Sequence, residues 1–294
     1  MIHIEQVNRS FGSTQVLRDV DFTISPGLMT GFVGGNGAGK TTTMRILLGV
    51  LEPSSGRVTV DGEPMSAHYR AGIGYMPEER GLYPKMPVLE QIVYLARLHG
   101  VSKQRATERA TELLERLGLG ERMKDDLQSL SLGNQQRAQI AAALTHEPHA
   151  LVLDEPFSGL DPMAVENTLE VLRDVADTGA PVLFSSHQLD VVERLCDELV
   201  IIADGEIRAA GSREEIRAAN TSPAWNLETD ADTGWVRSIP GIDVIEFDGG
   251  FVRFHAPDAD AADTVLQEAM SRGRVRSFAP YRPPLTEIFQ EVIR

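Results

Sequence analysis

The stretch GFVGGNGAGKTT, residues 31 to 42, decides the fold. Residues 34 to 41 match the pattern G-x-x-x-x-G-K-[ST] at every position. The apolar segment LMTGFVG before them predicts a buried strand. Behind them, apolar residues at i, i+3, i+4 and i+7 predict a helix that Pro53 would end: Met44, Leu47, Leu48 and Leu51. Strand, glycine-rich loop and helix in this order are typical of a phosphate-binding loop.

This loop is predicted to bind a nucleoside triphosphate. Glycines let backbone N–H groups turn inward around the β-phosphate, and the helix N-terminus adds partial positive charge. Lys40 is expected to reach the β- and γ-phosphates, and the Thr41 hydroxyl to ligate Mg²⁺. The alternative is a glycine-rich turn with no ligand. The predicted nucleotide-binding residues are Gly34, Gly35, Asn36, Gly37, Ala38, Gly39, Lys40, Thr41 and Thr42.

Two further apolar segments end in residues suited to phosphate chemistry. The segment ALVLDE, residues 150 to 155, predicts a strand followed by Asp154, placed to hold Mg²⁺, and Glu155, placed to polarise an attacking water. The segment PVLFSSH predicts another buried strand that carries His187 to the same edge. The remaining histidines are interpreted as structural: His3, His68, His99, His146, His149 and His255.

Together with LSLGNQQR (130–137) and SGLD (158–161), these ordered motifs resemble the ATP-binding subunit of an ABC transporter over residues 1–215. The resemblance implies an α/β fold, the P-loop NTPase ABC cassette, with a mainly parallel sheet and an antiparallel β layer. A helical insert is expected at about 87–146. Residues 216–294 are expected to form a small C-terminal α+β accessory domain.

The same resemblance assigns roles to the motif residues. Lys40, Glu155 and His187 would be catalytic, and His187 would contact the γ-phosphate. ATP is the implied nucleotide, with Mg²⁺ held by Thr41, Asp154 and Glu78. Phe11 matches the aromatic residue that stacks on adenine; the alternative is an ordinary core aromatic.

Ser131 and Gly133 belong to the signature motif, which in this family completes the site of a second cassette. Two cassettes face each other head to tail, so these residues would donate to the γ-phosphate of the partner's ATP. The alternative is a capped helix start and nothing more. The family's usual signature is L-S-G-G-Q, from which Leu132 and Asn134 depart.

A second departure lies in GYMPEERGLYPKM, where Glu78 replaces the usual glutamine and adds negative charge near the γ-phosphate. Glu79 and Arg80 are expected to face the groove where the membrane partner docks.

Composition limits the function classes. The chain of 294 residues has a formal net charge of −15, which argues against a general nucleic-acid or anionic-lipid surface. No apolar run approaches the ~18 residues of a membrane-spanning helix, and the N-terminus lacks the apolar core of a signal peptide. We therefore expect a cytoplasmic protein, and the resemblance implies that the permease holds it at the inner face of the cell membrane. The single cysteine, Cys196, is interpreted as a buried structural thiol.

The C-terminal region changes in character. Short strand patterns surround the helix DADAADTVLQEAMSRG, for which Asp258 is the predicted N-cap, and PPLTEIFQEVI predicts a final helix. The predicted apolar face of the first helix comprises Ala261, Val265, Leu266 and Met270. A ferredoxin-like topology is expected. Such additions resemble those of bacterial exporter ATPases whose permease is a separate polypeptide; a dimer-stabilising lid is favoured over a regulatory small-molecule site.

The sequence thus predicts an ATPase that dimerises around ATP, with itself or a related cassette, and powers export through a separate integral membrane permease. Two alternatives are a soluble ABC ATPase of DNA repair, chromosome maintenance or translation, and an inactive regulatory cassette. The short helical insert, the single cysteine and the single phosphate loop disfavour the first. The presence of Lys40, Asp154, Glu155 and His187 disfavours the second. No nucleic-acid partner is expected. Drug, ion, lipid and polysaccharide all stay open as cargo.

Overall fold

The computed structural model describes residues 1–79, 81–187, 189–220 and 224–292. The chain divides into two compact units, Met1–Arg213 and Glu214–Val292. Each unit contains its own sheet, or sheets, and its own apolar core.

The first unit is built on a six-stranded sheet, which confirms the expected mainly parallel core. Five strands run parallel, and the sixth, at one edge, pairs antiparallel with its neighbour. In spatial order they are β10 (Glu206–Ser212), β9 (Glu198–Ala203), β3 (Met29–Val33), β8 (Val182–Ser186), β7 (Ala150–Leu153) and β6 (Ile73–Met76). Every residue of β3, β7 and β8 is buried, as expected for parallel strands covered on both faces.

A second sheet in this unit is antiparallel, which confirms the expected β layer. Its order is β2 (Thr14–Ile24), β1 (Ile2–Phe11), β4 (Ser55–Val60) and β5 (Glu63–Pro64). The neighbouring strands β3 and β6 belong to the parallel sheet instead. The rings of Phe22 and Phe32, 5.2 Å apart between centroids, pack across the two sheets.

The helix after the phosphate loop is shorter than predicted. Helix α1 spans Lys40–Leu47, with Met44 and Leu47 buried. Gly49 follows with φ 71°, and the Val50 N–H donates to the Arg45 carbonyl at 2.9 Å, which is a Schellman ending. The prediction that Pro53 ends this helix is therefore wrong, since glycine in the left-handed conformation stops it earlier. Leu51 lies beyond the helix.

Three helices lie within the region expected to be a helical insert: α3 (Val88–Leu98), α4 (Lys103–Arg116) and α5 (Leu132–Leu144). Pro87 is the N-cap residue of α3. The remaining α-helices of the unit are α2 (Ala67–Ala71), α6 (Pro162–Asp177) and α7 (Leu189–Leu195).

Cys196, just after α7, is buried, and that burial raises the pKa of its thiol to about 12. Its interpretation as a structural thiol is confirmed.

The second unit is an α+β fold, as expected. Its antiparallel sheet has the order β12 (Asp243–Asp248), β13 (Phe251–His255), β11 (Ala224–Thr229) and β14 (Val275–Pro280). Helices α8 (Arg213–Asn220), α9 (Ala259–Arg272) and α10 (Leu285–Val292) complete it. The strand and helix order matches the ferredoxin-like pattern, with a 3₁₀ turn at Gly234–Ser238 in place of the first helix.

Helix α9 begins where the sequence predicted. The Asp258 carboxylate accepts a hydrogen bond from the Ala261 N–H at 2.8 Å. The buried face consists of Ala262, Val265 and Ala269. The predicted place of Met270 on this face is wrong, because the stripe that packs against the sheet is rotated and leaves Met270 exposed.

Substituting Asp258 with alanine should destabilise the second unit by ~1 kcal/mol, because the α9 N-terminus loses its side-chain cap. Asp260→Ala is the matched control, since it removes the same charge from the first turn without removing the cap. The chain's two tryptophans, Trp225 and Trp235, both lie in this unit, so their fluorescence during urea unfolding reports on it. Equal midpoints for the two variants would contradict the capping role.

Candidate functional site

The phosphate loop lies between the carboxyl end of β3 and the start of α1. Gly37 and Gly39 have φ values of 77° and 113°, which favour glycine. A Cβ on Gly39 would lie 2.5 Å from a Leu17 methyl group, so the close packing also excludes a side chain there. The buried Lys40 ammonium donates to the carbonyls of Gly34 and Gly35 at 2.7 and 3.2 Å. The cation therefore lies inside the curve of the loop.

A cavity of about 490 Å³ is lined by this loop and by carboxylates from the neighbouring segments. Its loop residues are Gly35, Asn36, Gly37, Ala38, Gly39, Lys40, Thr41 and Thr42, and its acids are Glu78, Asp154 and Glu155. Val16 on β2 also lines it and was missed by the sequence reasoning, because a single valine in a strand carries no distinguishing pattern.

The oxygen atoms of this cavity fit a magnesium ion. The Thr41 hydroxyl donates to one carboxylate oxygen of Asp154 at 2.9 Å. Glu78 lines the same cavity. Mg²⁺ prefers such oxygen donors, few from the protein and the rest from phosphates and water. Among the described residues there is no group of three or more His, Cys, Asp or Glu that could hold a metal ion.

A hydrogen-bond network joins the two acids to the adjacent strand. The Ser185 hydroxyl, fully buried on β8, donates to the second oxygen of Asp154 at 2.5 Å and accepts from the Glu155 N–H at 2.8 Å. The Glu155 carboxylate lies 2.9 Å from Nδ1 of His187. The Glu155 side chain is 12% exposed and that of His187 53% exposed. The acid is therefore fixed, whereas the histidine faces outward.

The carbonyl of Glu155 is held as well. It accepts a hydrogen bond from the side-chain amide of Gln136 on α5 at 2.8 Å. The sequence reasoning missed both Gln136 and Ser185. A signal for Ser185 was available, because a polar residue near the end of an apolar strand, two positions before His187, needs a buried partner.

Five of the predicted site residues are not among the residues that line the cavity: Phe11, Gly34, Ser131, Gly133 and His187. Phe11 is 48% exposed, so the alternative of a core aromatic is wrong, and the Arg9 guanidinium lies 4.6 Å from its ring centroid.

The signature residues lie at the start of α5. Ser131 caps the helix and accepts from the Asn134 N–H at 3.3 Å. Gly133 packs on the Gly159 carbonyl, where a Cβ would approach to 3.0 Å.

The residues that depart from the family pattern have distinct surroundings. Leu132 is 59% exposed beside the Ser131 cap. The Asn134 side-chain oxygen accepts from Arg137, which also donates to the Leu117 carbonyl at 2.6 Å. After Glu78, the Glu79 carbonyl accepts from Gln139 on α5 at 3.2 Å. Arg80, expected to face the docking groove, lies outside the described residues.

A phosphate loop after one parallel strand, with paired acids and a histidine after two others, defines an ATPase of the P-loop class. A family model described as ABC transporter matches residues 17–158, and one described as the C-terminal domain of DrrA1-3-like ATP-binding proteins matches residues 211–293. The chain is 37% identical over 293 residues to the uncharacterized ABC transporter ATP-binding protein YhaQ of Bacillus subtilis (strain 168), covering 100% of this chain and 98% of YhaQ. The chain therefore belongs to the ATP-binding subunits of ABC transporters.

Other relatives agree with this assignment. The linearmycin resistance ATP-binding protein LnrL of Bacillus subtilis (strain 168) is 35% identical over 219 residues, which cover 74% of this chain and 70% of LnrL. A solved ATP-binding subunit of an ABC transporter is 32% identical with a TM-score of 0.69, covering 74% of this chain and 92% of that structure. The family hydrolyses ATP to drive transport, and this chain is an ATPase subunit of that kind. No helix within the described ranges is long and apolar enough to cross a membrane.

Replacing Thr41 with valine removes the hydroxyl and keeps the shape. We expect the free Mg²⁺ concentration for half-maximal ATP hydrolysis to rise by about tenfold or more, a loss typical of removing a group from a metal site. Thr41→Ser keeps the hydroxyl and is the matched control. Titration of Mg²⁺ at saturating ATP measures the difference, and the same dependence for both variants would rule out a magnesium role for this hydroxyl.

Proposed function

We propose that this protein is an ATP-hydrolysing subunit that dimerises around ATP and powers export through a separate membrane permease. Residues 1–215 would form the ATP-binding domain and residues 216–294 an accessory domain. One observation supports the proposal of a dimer. Ser131 and Gly133, whose family role is to bind a γ-phosphate, are not among the residues that line the cavity of their own phosphate loop. A second chain, of the same or a related sequence, would bring its signature to that cavity.

Each catalytic residue has a position suited to its role. Lys40, inside the loop, would bind the β- and γ-phosphates. Thr41 and Asp154, with Glu78, would hold Mg²⁺, which neutralises phosphate charge when bound. Glu155 would orient the attacking water as general base, and the His187 ring at its carboxylate would stabilise charge on the transferring phosphoryl group. Phe11 would offer its exposed ring to adenine.

The signature would work across the dimer. The N-terminus of α5 presents Ser131, Gly133 and the partial positive charge of the helix. In the ATP-bound dimer the γ-phosphate would join the two chains, and its loss on hydrolysis would release them.

A groove beside the cavity suits the permease. It has a volume of about 290 Å³ and lies between β6, with the segment after it, and helices α3 and α5. Gln139 at its wall donates toward the carbonyls of Pro77 and Glu79. Burial, together with His99, lowers the pKa of His146 to about 4, so the His146 side chain is neutral at physiological pH. A mainly apolar groove next to Glu78 would link permease movement to the nucleotide. The protein would thus reside at the inner face of the cell membrane.

One similarity supports export. LnrL, a relative over 74% of this chain, is named for resistance to linearmycin, and removal of a toxic compound is one way to give resistance.

Glu155→Gln should reduce turnover by about 100-fold or more and accumulate an ATP-bound dimer, because the water is no longer activated. Adding Ser131→Asp should return the protein to a monomer, since aspartate still caps α5 but repels the γ-phosphate. Light scattering with ATP and Mg²⁺ measures both states. Ser129→Asp, with the same charge on an exposed residue nearby, is the control. If the Glu155→Gln protein stayed monomeric with ATP and Mg²⁺ while the wild type hydrolysed ATP rapidly, the proposal of a site shared between two chains would be overturned.

Membrane coupling separates this function from the soluble alternatives. ATP hydrolysis should increase severalfold on addition of a detergent extract of membranes from the source cells, and should not respond to DNA or ribosomes. The Lys40→Ala protein in the same extract corrects for other ATPases. Stimulation by DNA or ribosomes alone would favour a role in repair or translation.

A further inference from the structure

The backbone of Glu155 has an unusual conformation. Its φ is 53°, in the left-handed region that residues with a Cβ rarely occupy. Such a conformation is unfavourable for a residue with a Cβ, and it persists only where surrounding contacts hold it. The contacts around this residue therefore determine where its carboxylate points.

Both backbone polar groups of Glu155 bind side chains from other elements. Its N–H donates to Ser185 on β8, and its carbonyl accepts from the Gln136 amide on α5 at 2.8 Å. Gln136 is 8% exposed, so its bond is shielded from water and competes little with solvent. Ser185 also binds Asp154, whereas Gln136 reaches Glu155 from the helical insert.

Gln136 belongs to the helix that begins with the signature. It lies five residues after Ser131, within the same continuous helix α5. The N-terminus of α5 also packs on the segment after Glu155, where Gly133 meets the Gly159 carbonyl. One rigid helix thus contacts the Glu155 backbone and the loop that follows it.

We propose that Gln136 is a positioning residue for ATP hydrolysis, which holds the Glu155 backbone so that the carboxylate is aimed at the attacking water. This proposal rests on the proposed function, in which Glu155 orients that water. Because Gln136 and Ser131 share α5, the position of the signature against a partner's nucleotide also sets the position of this chain's own Glu155.

Gln136→Met keeps the length of the side chain and removes the donor. We expect kcat to fall by roughly 10- to 100-fold, the size of effect that a 1 Å displacement of a catalytic group produces. KM and the affinity for ATP should stay within about twofold of wild type, because Gln136 does not line the nucleotide cavity. Gln136→Glu, in which a carboxylate oxygen opposes the Glu155 carbonyl, should show the same selective loss of kcat. Gln128→Met, at an exposed glutamine of the insert, is the control.

A structural role for Gln136 would give a different result. Gln136→Met is therefore combined with Glu155→Gln, and ATP-dependent dimerisation is measured by light scattering. If Gln136 only positions the Glu155 backbone, the double variant should still form the ATP-bound dimer, because folding and ATP binding are intact. A kcat of Gln136→Met within about twofold of wild type, or a double variant that no longer dimerises, would overturn the proposal. Failure of the proposed function is recognised separately, because Glu155→Gln alone would then turn over ATP at the wild-type rate.

Discussion

The parallel alignment of β3, β7 and β8 is the constraint on which the site depends. Parallel strands deliver their carboxyl ends to a single edge of the sheet, and this edge receives the phosphate loop, the two acids and His187. All three strands are buried, so their alignment is fixed by the core of the first unit. Thr41 of the phosphate loop and Asp154, which meet there, are 113 residues apart in sequence.

Local donors explain how a chain with a net charge of −15 can bind a polyanion. The Lys40 ammonium and the N–H groups of the loop act over a few ångströms, where the distant acidic surface has little influence. The same geometry holds the acids in place: Thr41 and Ser185 each bind one oxygen of Asp154. The carboxylate proposed to hold Mg²⁺, Asp154, and the residue proposed to activate water, Glu155, are therefore linked through one serine.

Sequence reasoning predicted most elements of the fold, because apolar periodicity and capping residues act locally. It identified the α9 cap at Asp258 and the α+β character of the second unit. It erred where tertiary packing decides: Pro53 does not end α1, and Met270 is not on the buried face of α9. It also missed Val16 and Gln136, whose roles come from neighbours outside their own segments, and Ser185, whose place near the end of an apolar strand was the one available signal.

By itself, the sequence determined the class of chemistry, because the phosphate loop and the paired acids require particular residue types at fixed spacing. Only the tertiary structure decided which groups support them. Three of these features arise where β7, β8 and α5 meet. They are the left-handed backbone of Glu155, the Ser185 hydroxyl that binds both acids, and the Gln136 amide that donates to the Glu155 carbonyl. A hydrogen bond between distant segments depends on their packing, and no local pattern of residues encodes it.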